Sequence, residues 1–179
     1  MDKNNSFVVV SCCIPGHGDF EELKASLRKF GIQYDLRILD KKEGRLYGYS
    51  QAIFLKKMLY HYRPHPVVWM DPGTCIRRYP AQFDVQSTEV AVYVDDKNAT
   101  MSPVIIYLAN NKKTQLMLDT WIERNEFQVE NSERLNLRLS LLDWQAQHKG
   151  KIGMLPVTYV DGTVCGGSVG VTTDAAKIK

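Results

Sequence analysis

A single α/β domain, built on a mostly parallel sheet flanked by helices, is the fold class this sequence predicts. Three observations carry the prediction. The first part of the chain alternates strand-like and helix-like segments in the order SFVVVSCCI, DFEELKASLRKFG, YDLRIL, YSQAIFLKKMLYHY and PVVWM. Such a β-α-β-α-β order links neighbouring strands by helical crossovers, which makes them parallel. The PVVWM run, Pro66–Met70, shows no alternation, as expected of a central strand covered on both faces. Finally, 179 residues with 44% hydrophobic and 24% charged content suit one core of ordinary size, and no linker or internal repeat interrupts them.

The elements follow in order. The β-branched run that starts at Phe7 is a strand, stopped by the breakers of PGHGD, Pro15–Asp19. Asp19 is placed to cap the next helix, in which Phe20, Leu23, Leu27 and Phe30 share one face and Gly31 closes the end. YDLRIL is a second strand, and DKKEGRLYG a polar loop. The second helix directs Ile53, Phe54, Met58 and Leu59 inward and stops before Arg63-Pro64. After PVVWM, two more strands are read in EVAVYV and PVIIYLA. A helix over KKTQLMLDTWIERNEF carries Leu116, Leu118, Trp121 and Ile122, and NSERLNLRLSLLDWQAQH is another. KIGMLPVTYV is a last short strand. The domain therefore spans 1–161, and the Gly- and Thr-rich segment 162–179 is read as a loose tail or a lid.

Composition removes several function classes. The net charge of +3 and pI of 8.6 come without a basic stripe, which does not favour nucleic acid but suits an anionic small molecule. Cys12, Cys13, Cys75 and Cys165 include no C-x-x-C pair, and His17, His61, His65 and His148 have no metal-ligand spacing. All four cysteines are accordingly expected to be reduced thiols of a cytoplasmic protein. No run has the features of a signal peptide or the length of a membrane span. There is no G-x-G-x-x-G, P-loop or G-x-S-x-G motif.

Parallel α/β sheets collect ligands beyond the carboxyl ends of their strands. Three loops end there: PGHGD, DKKEGR and DPG. In the last, the most apolar strand runs straight into Asp71. That carboxylate either starts an Asx-type turn at Pro-Gly, or holds a cation that would neutralise phosphate oxygens. Asp95 and Asp96, after EVAVYV, could join a metal site or lie in a solvated loop. Arg45 could hold a phosphate and Tyr47 stack on a base, or both could belong to a plain surface loop. Glu133 could be a general base or a solvated helix residue.

Several segments, taken in order from about Phe7 to about Asp161, resemble the nucleotide-diphospho-sugar transferase superfamily, the GT-A-fold glycosyltransferases. They are FVVVSCCIPG, QAIFLKKMLYHYRPHPVVWMD, PVIIYLANNKKTQLMLDTWIERNE, ERLNL and MLPVTYV. The resemblance implies a GT-A-like, Rossmann-like fold and a site for a nucleotide-sugar donor, with a UDP-sugar favoured. By position it assigns donor binding to Ser11, Ile14, Pro15, Gly16, Arg45, Tyr47, Gln51, Asp71 and Gly73. It assigns catalysis to Asp71 and Glu133, and a manganese or magnesium ion to Asp71, which Asp95 or Asp96 would join only if their loop swung in. The chain departs from the family pattern. Gly73 stands where the second aspartate of D-x-D would be, Gln51 replaces a lysine, and Arg134 stands where glutamine is common. Val104-Ile105 is bulkier than the family's Gly-Thr step, and the usual closing histidine is lacking. Metal dependence is therefore expected to be weak or absent, with Arg45 partly replacing the lost charge. The implied function is transfer of a sugar from a nucleotide-diphospho-sugar to an acceptor the sequence does not identify. The alternative is a catalytically degenerate domain that binds a nucleotide, a sugar nucleotide or a protein partner without turnover. A phage-type transferase acting on modified DNA bases is a third reading, which the low net charge does not favour.

Overall fold

The computed structural model describes residues 6–13, 15, 19–39, 51–95, 100–155 and 164–166. In chain order the elements are β1 (Val8–Cys13), α1 (Glu21–Lys29), β2 (Tyr34–Ile38), α2 (Gln51–His61), β3 (Val67–Met70), β4 (Thr74–Ile76), a 3-10 turn (Ala81–Asp84), β5 (Val90–Asp95), β6 (Thr100–Leu108), α3 (Lys112–Phe127), α4 (Glu133–His148), β7 (Ile152–Leu155) and β8 (Val164–Gly166).

β1 lies parallel to β2 on one side and to β3 on the other, with Val9 opposite Tyr34 and Val8 opposite Val67. These are the crossovers predicted from the β-α-β-α-β order. The six-stranded sheet runs β2-β1-β3-β6-β5-β7. It is mixed rather than uniformly parallel: β6 runs antiparallel to both β3 and β5, and β7 is parallel to β5. Val8, Val9 and Val10 are all fully buried, as are Val67, Val68 and Met70, because both faces of the sheet are covered.

One face packs against α2, α3 and α4. Trp69 meets Phe54 edge to face at 5.8 Å, and Trp121 and Trp144 are fully buried beside them. The other face packs against α1 and the 3-10 turn, through Phe7, Leu23, Leu27 and Phe83. Local chemistry sets the helix ends. Asp19 accepts from the Glu21 backbone N–H at 3.2 Å, and Gly31 closes α1 at φ +63°. The Asn111 side chain accepts from Thr114 N–H at the start of α3, and Ser132 accepts from Leu135 N–H at the start of α4. Gly150 follows the left-handed cap of α4 at Lys149. A Cβ there would lie 2.1 Å from the Trp144 ring, so only glycine admits that close approach.

Three expectations need correction. Ile53 is not core: Ala52 and Leu55 are buried in α2 with Phe54, Met58 and Leu59, while Ile53 lines an open groove. At about 100° per residue, Ile53 faces nearly opposite the centre of that buried arc. Cys75 is not a reduced thiol but is disulfide-bonded, whereas Cys12 and Cys13 are free. The remaining cysteine, Cys165, stands directly opposite Cys75 in an antiparallel β4–β8 ladder that the sequence did not signal. The segment read as a tail or lid thus contributes a short strand at Val164–Gly166. No helix among the described residues is long and apolar enough to cross a membrane.

Leu27 is fully buried against the sheet. Leu27→Ala is expected to cost ~2–5 kcal/mol in urea denaturation, through lost transfer energy and a residual cavity. A change within ~0.5 kcal/mol would match a surface residue and contradict the packing described.

Candidate functional site

The parallel pairing brings the carboxyl ends of β1 and β3 to one edge of the sheet. Asp71 is the first residue beyond β3. Its backbone N–H donates to the Val104 carbonyl of β6 at 3.0 Å. Its own carbonyl accepts from the Thr74 N–H at 3.0 Å and from Thr74 Oγ1 at 2.7 Å, which closes the Pro72-Gly73 turn. Asp71 therefore does start a turn, but through its carbonyl. Its carboxylate Oδ1 instead accepts from the Trp69 indole Nε1 at 2.7 Å. Trp69 is two residues back on a strand, hence on the same face.

Three other elements reach this carboxylate. Cys12, at the end of β1, is close enough for Asp71 and Glu133 to act on its thiol. α2 begins here with Gln51. Its backbone N–H donates to the Glu133 carboxylate, and its side-chain Nε2 donates to the Pro103 carbonyl at 3.0 Å. Pro103 adjoins Val104, the residue that holds the Asp71 amide, so Gln51 brackets the site from two directions. α4 supplies Glu133 and Arg134 in its first turn, and the Arg134 charge is felt at Asp71.

The electrostatics follow from burial and crowding. Burial pushes the Asp71 carboxyl up from 3.8 to about 6, against the opposing effects of the Trp69 hydrogen bond and the Arg134 charge. The Glu133 carboxyl is also raised, by desolvation first and by the Asp71 charge as well, while the Gln51 N–H opposes the rise. Glu133 is exposed as a residue, so the direction of its shift carries the argument and no stability is assigned to it. The Cys12 thiol is pushed up to about 12 by burial, then by Cys13, Glu133 and Asp71. It is therefore protonated at neutral pH and no nucleophile.

The other sequence candidates divide as follows. Ser11 is fully buried, on the opposite face of β1 from Cys12, and its Oγ has no hydrogen-bond partner among the described residues. Strand alternation turns it to the α1 face, away from Trp69 and Asp71. Pro15 is exposed, and Gly73 offers only backbone to the turn after Asp71. Asp95 ends β5 on the stretch of the β5–β6 ladder that extends beyond the level of Asp71. Ile14, Gly16, Arg45, Tyr47 and Asp96 lie outside the described residues. Sequence reasoning missed Trp69, Cys12 and the Pro103 carbonyl. The first two were accessible from strand period, and the third only from the fold.

Among the described residues no group of three or more His, Cys, Asp or Glu could hold a metal ion. Asp71 and Glu133 are two carboxylates at one edge. That donor set fits only a hard ion shared with substrate phosphates, as magnesium-like ions often are. Across β1, on the α1 face, a cavity of about 340 Å³ is lined by Cys13, Asp19, Phe20, Lys24, Tyr34 and Leu36. A cavity of about 570 Å³ beside α2 includes Arg37 and Lys56, but these are already paired with Asp35 and Asp119.

No protein-family model matches this chain, and no curated protein matches it in sequence. Solved structures do match. The glycosyltransferase GlyE of Streptococcus pneumoniae TIGR4 superposes with a TM-score of 0.61 at 13% identity, over 87% of this chain and 46% of GlyE. This chain thus spans about half of GlyE's length. A glycosyltransferase involved in glycosylation of the major capsid of PBCV-1 gives 0.64 at 9% identity, over 89% of this chain and 94% of that one. The galactosyltransferase LgtC, solved with donor and acceptor sugar analogs, gives 0.56 at 9% identity, over 83% and 73%. At such identities the shared property is the fold, and that fold is the GT-A type.

The raised Asp71 pKa has a consequence for stability. Below about pH 3.8 the carboxyl is protonated in both folded and unfolded chains, so it costs the fold nothing. Between there and about pH 6 only the unfolded chain ionises, and above that the fold carries a constant penalty of ~3 kcal/mol. Asp71→Asn keeps an acceptor for Trp69 and removes the charge. It is expected to stabilise the protein by ~1–3 kcal/mol at pH 7.5 and by nothing at about pH 3.5 in urea denaturation. An equal effect at both pH values would place the carboxylate in solvent.

Proposed function

We propose that this chain is a glycosyltransferase that moves a sugar from a nucleotide-diphospho-sugar, a UDP-sugar in the first instance, to an acceptor hydroxyl. The observation that carries the reading is the convergence of Asp71 from β3 and Glu133 from α4 at one edge of a GT-A fold, each with a raised pKa. The names of the structural neighbours support the reaction class.

The transfer breaks the bond between the sugar anomeric carbon and the diphosphate, forms one to the acceptor oxygen, and releases the acceptor's proton. Glu133, raised toward neutrality, suits the general base that takes that proton. Asp71, ionised above about pH 6, suits acceptance of a hydrogen bond from a donor sugar hydroxyl, with Trp69 fixing its orientation. The cavity at Cys13, Phe20 and Tyr34 adjoins the end of β1 and has the size of a small-molecule site, suited to the nucleoside. Arg134 brings positive charge to the diphosphate side of the cleft. A divalent ion, when bound, would neutralise the leaving diphosphate, and Asp71 is the residue at this edge that would hold it.

A second reading, donor binding without turnover, is favoured by two features. Gly73 offers no second carboxylate, and the Gln51 carboxamide that replaces a cationic side chain is directed at Pro103. Calorimetry with UDP-sugars separates the readings, with chelator or manganese present and with hydrolysis and transfer followed in parallel. A UDP-sugar is expected to bind in chelator, with manganese tightening it by less than about tenfold. Glu133→Gln is expected to retain donor binding while transfer falls by about 10²-fold or more. The wild-type rate is expected to rise along an acid limb above pH 4.5, the ordinary glutamate value. Binding without hydrolysis or transfer would favour the second reading. Binding of no UDP-sugar would remove both. A tenfold or greater gain from manganese that Asp71→Asn abolishes would make this an ordinary metal site.

A further inference from the structure

α3 and α4 enclose a depression of about 330 Å³ whose lining includes neither Asp71 nor Glu133. Its walls include Glu123, Arg124, Phe127, Gln128, Asp143 and Gln147, all among the described residues. The Arg124 guanidinium is held in place: Nη1 donates to Gln128 Oε1 at 3.0 Å and Nη2 is paired with Asp143. Its Nε is buried and has no acceptor among the described residues. A buried donor without a partner is unfavourable, so the guanidinium is held in place at a cost to the fold. Beside it the Phe127 ring is 77% exposed, a large apolar face left in water.

The walls are preorganised. Gln128 Oε1 also accepts from Asn131 Nδ2 at 3.0 Å, and Asn131 donates to Asn136 Oδ1 at 3.1 Å. Asn136, buried in the first turns of α4, donates to Asn125 Oδ1 at 3.0 Å and to the Gln128 carbonyl at 3.2 Å. A wall already fixed before binding loses little further freedom when a ligand arrives.

The geometry points to a carbohydrate subsite here, which takes a neutral oligosaccharide with its C–H face on Phe127 and its hydroxyls on Arg124, Gln128, Asp143 and Gln147. The charge balance selects a neutral ligand. Glu123 and Asp143 flank one guanidinium, so a phosphate meets two carboxylates and an ammonium meets a cation. A sugar hydroxyl both donates and accepts. It can accept from the exposed Gln147 carboxamide N–H and donate to the Asp143 carboxylate. The exposed ring then gains the apolar contact it lacks. Binding itself does not depend on the catalytic reading. The role of the bound glycan as acceptor does rest on it, because the Asn131–Asn136 bonds join this wall to the helix turn that presents Glu133.

The test is a titration of ¹⁵N-labelled full chain with maltotriose, cellotriose and chitotriose at millimolar concentration. At least one is expected to shift amides confined to residues 120–128 and 143–147. Phe127→Ala and Gln147→Ala, both at solvent-facing positions, are expected to weaken that binding by about tenfold each while the thermal midpoint and UDP-sugar affinity stay unchanged. Absence of such shifts with all three trisaccharides, or shifts that survive Phe127→Ala at full affinity, would overturn the proposal. Trisaccharide binding in a protein that binds no UDP-sugar would sustain this subsite and remove the catalytic reading. Donor turnover without trisaccharide binding would do the reverse.

Discussion

The parallel pairing of β1 with β3 is the constraint from which the site follows. Two parallel neighbours must be joined by a crossover, so α1, β2 and α2 intervene between them and both strands point the same way. Their carboxyl ends then share one edge, and whatever residue follows β3 is delivered there. That residue is Asp71. α2, which must start at the same edge to return the chain to β3, delivers Gln51 beside it. The antiparallel β6 alongside β3 completes the frame, because its Val104 carbonyl holds the Asp71 amide and its Pro103 carbonyl holds the Gln51 side chain. The Asp71 edge is thus the place where the strand ends and helix starts imposed by one topology meet.

That placement works against stability. An ionised carboxylate desolvated by the surrounding protein is disfavoured in the fold, and the displaced pKa of Asp71 expresses that cost. The fold tolerates it because the aromatic and aliphatic core on the same face is extensive, with Trp69, Phe54, Trp121 and Trp144 in one cluster. Trp69 serves both sides: its ring belongs to the core and its N–H orients the carboxylate. A strained or desolvated group kept in a cleft, at the expense of stability, is what functional sites commonly show.

Much of this was legible in the sequence, and the failures have physical causes. Helices with a clear apolar stripe, and the continuous PVVWM run, place the sheet and the Asp71 edge, because burial dictates those patterns directly. Asp71 itself was visible as a strand ending in a carboxylate before Pro-Gly, although residue types alone did not separate turn former from site residue. In the structure the turn is closed by the Asp71 carbonyl, which leaves the carboxylate to accept from Trp69. Strand parity alone sets Ser11 with Val9 and Cys13 on the α1 face, away from Cys12. Ile53 was misread because size was weighed above angular position. The β4–β8 ladder was invisible because it joins segments far apart in sequence through strands of three residues each, too short for periodicity to show.

Glu133 illustrates what sequence period cannot supply. Its position on a helix was readable, but not that the helix begins at the Asp71 edge. That depends on where α4 starts and on how the turn after α3 is held. Ser132 fixes the first, since its side chain accepts from Leu135 N–H. The Asn125, Gln128, Asn131 and Asn136 bonds fix the second. A buried amide such as Asn136 is costly unless its donors and acceptor are matched, and here every partner comes from the turn or from the helix before it. A one-residue slip of α4 would break these bonds together and rotate Glu133 by about 100°, away from Gln51 and Asp71. The register of α4, and with it the distance between the two carboxylates, is therefore set by hydrogen bonding in the turn more than by the apolar stripe, which tolerates small rotations.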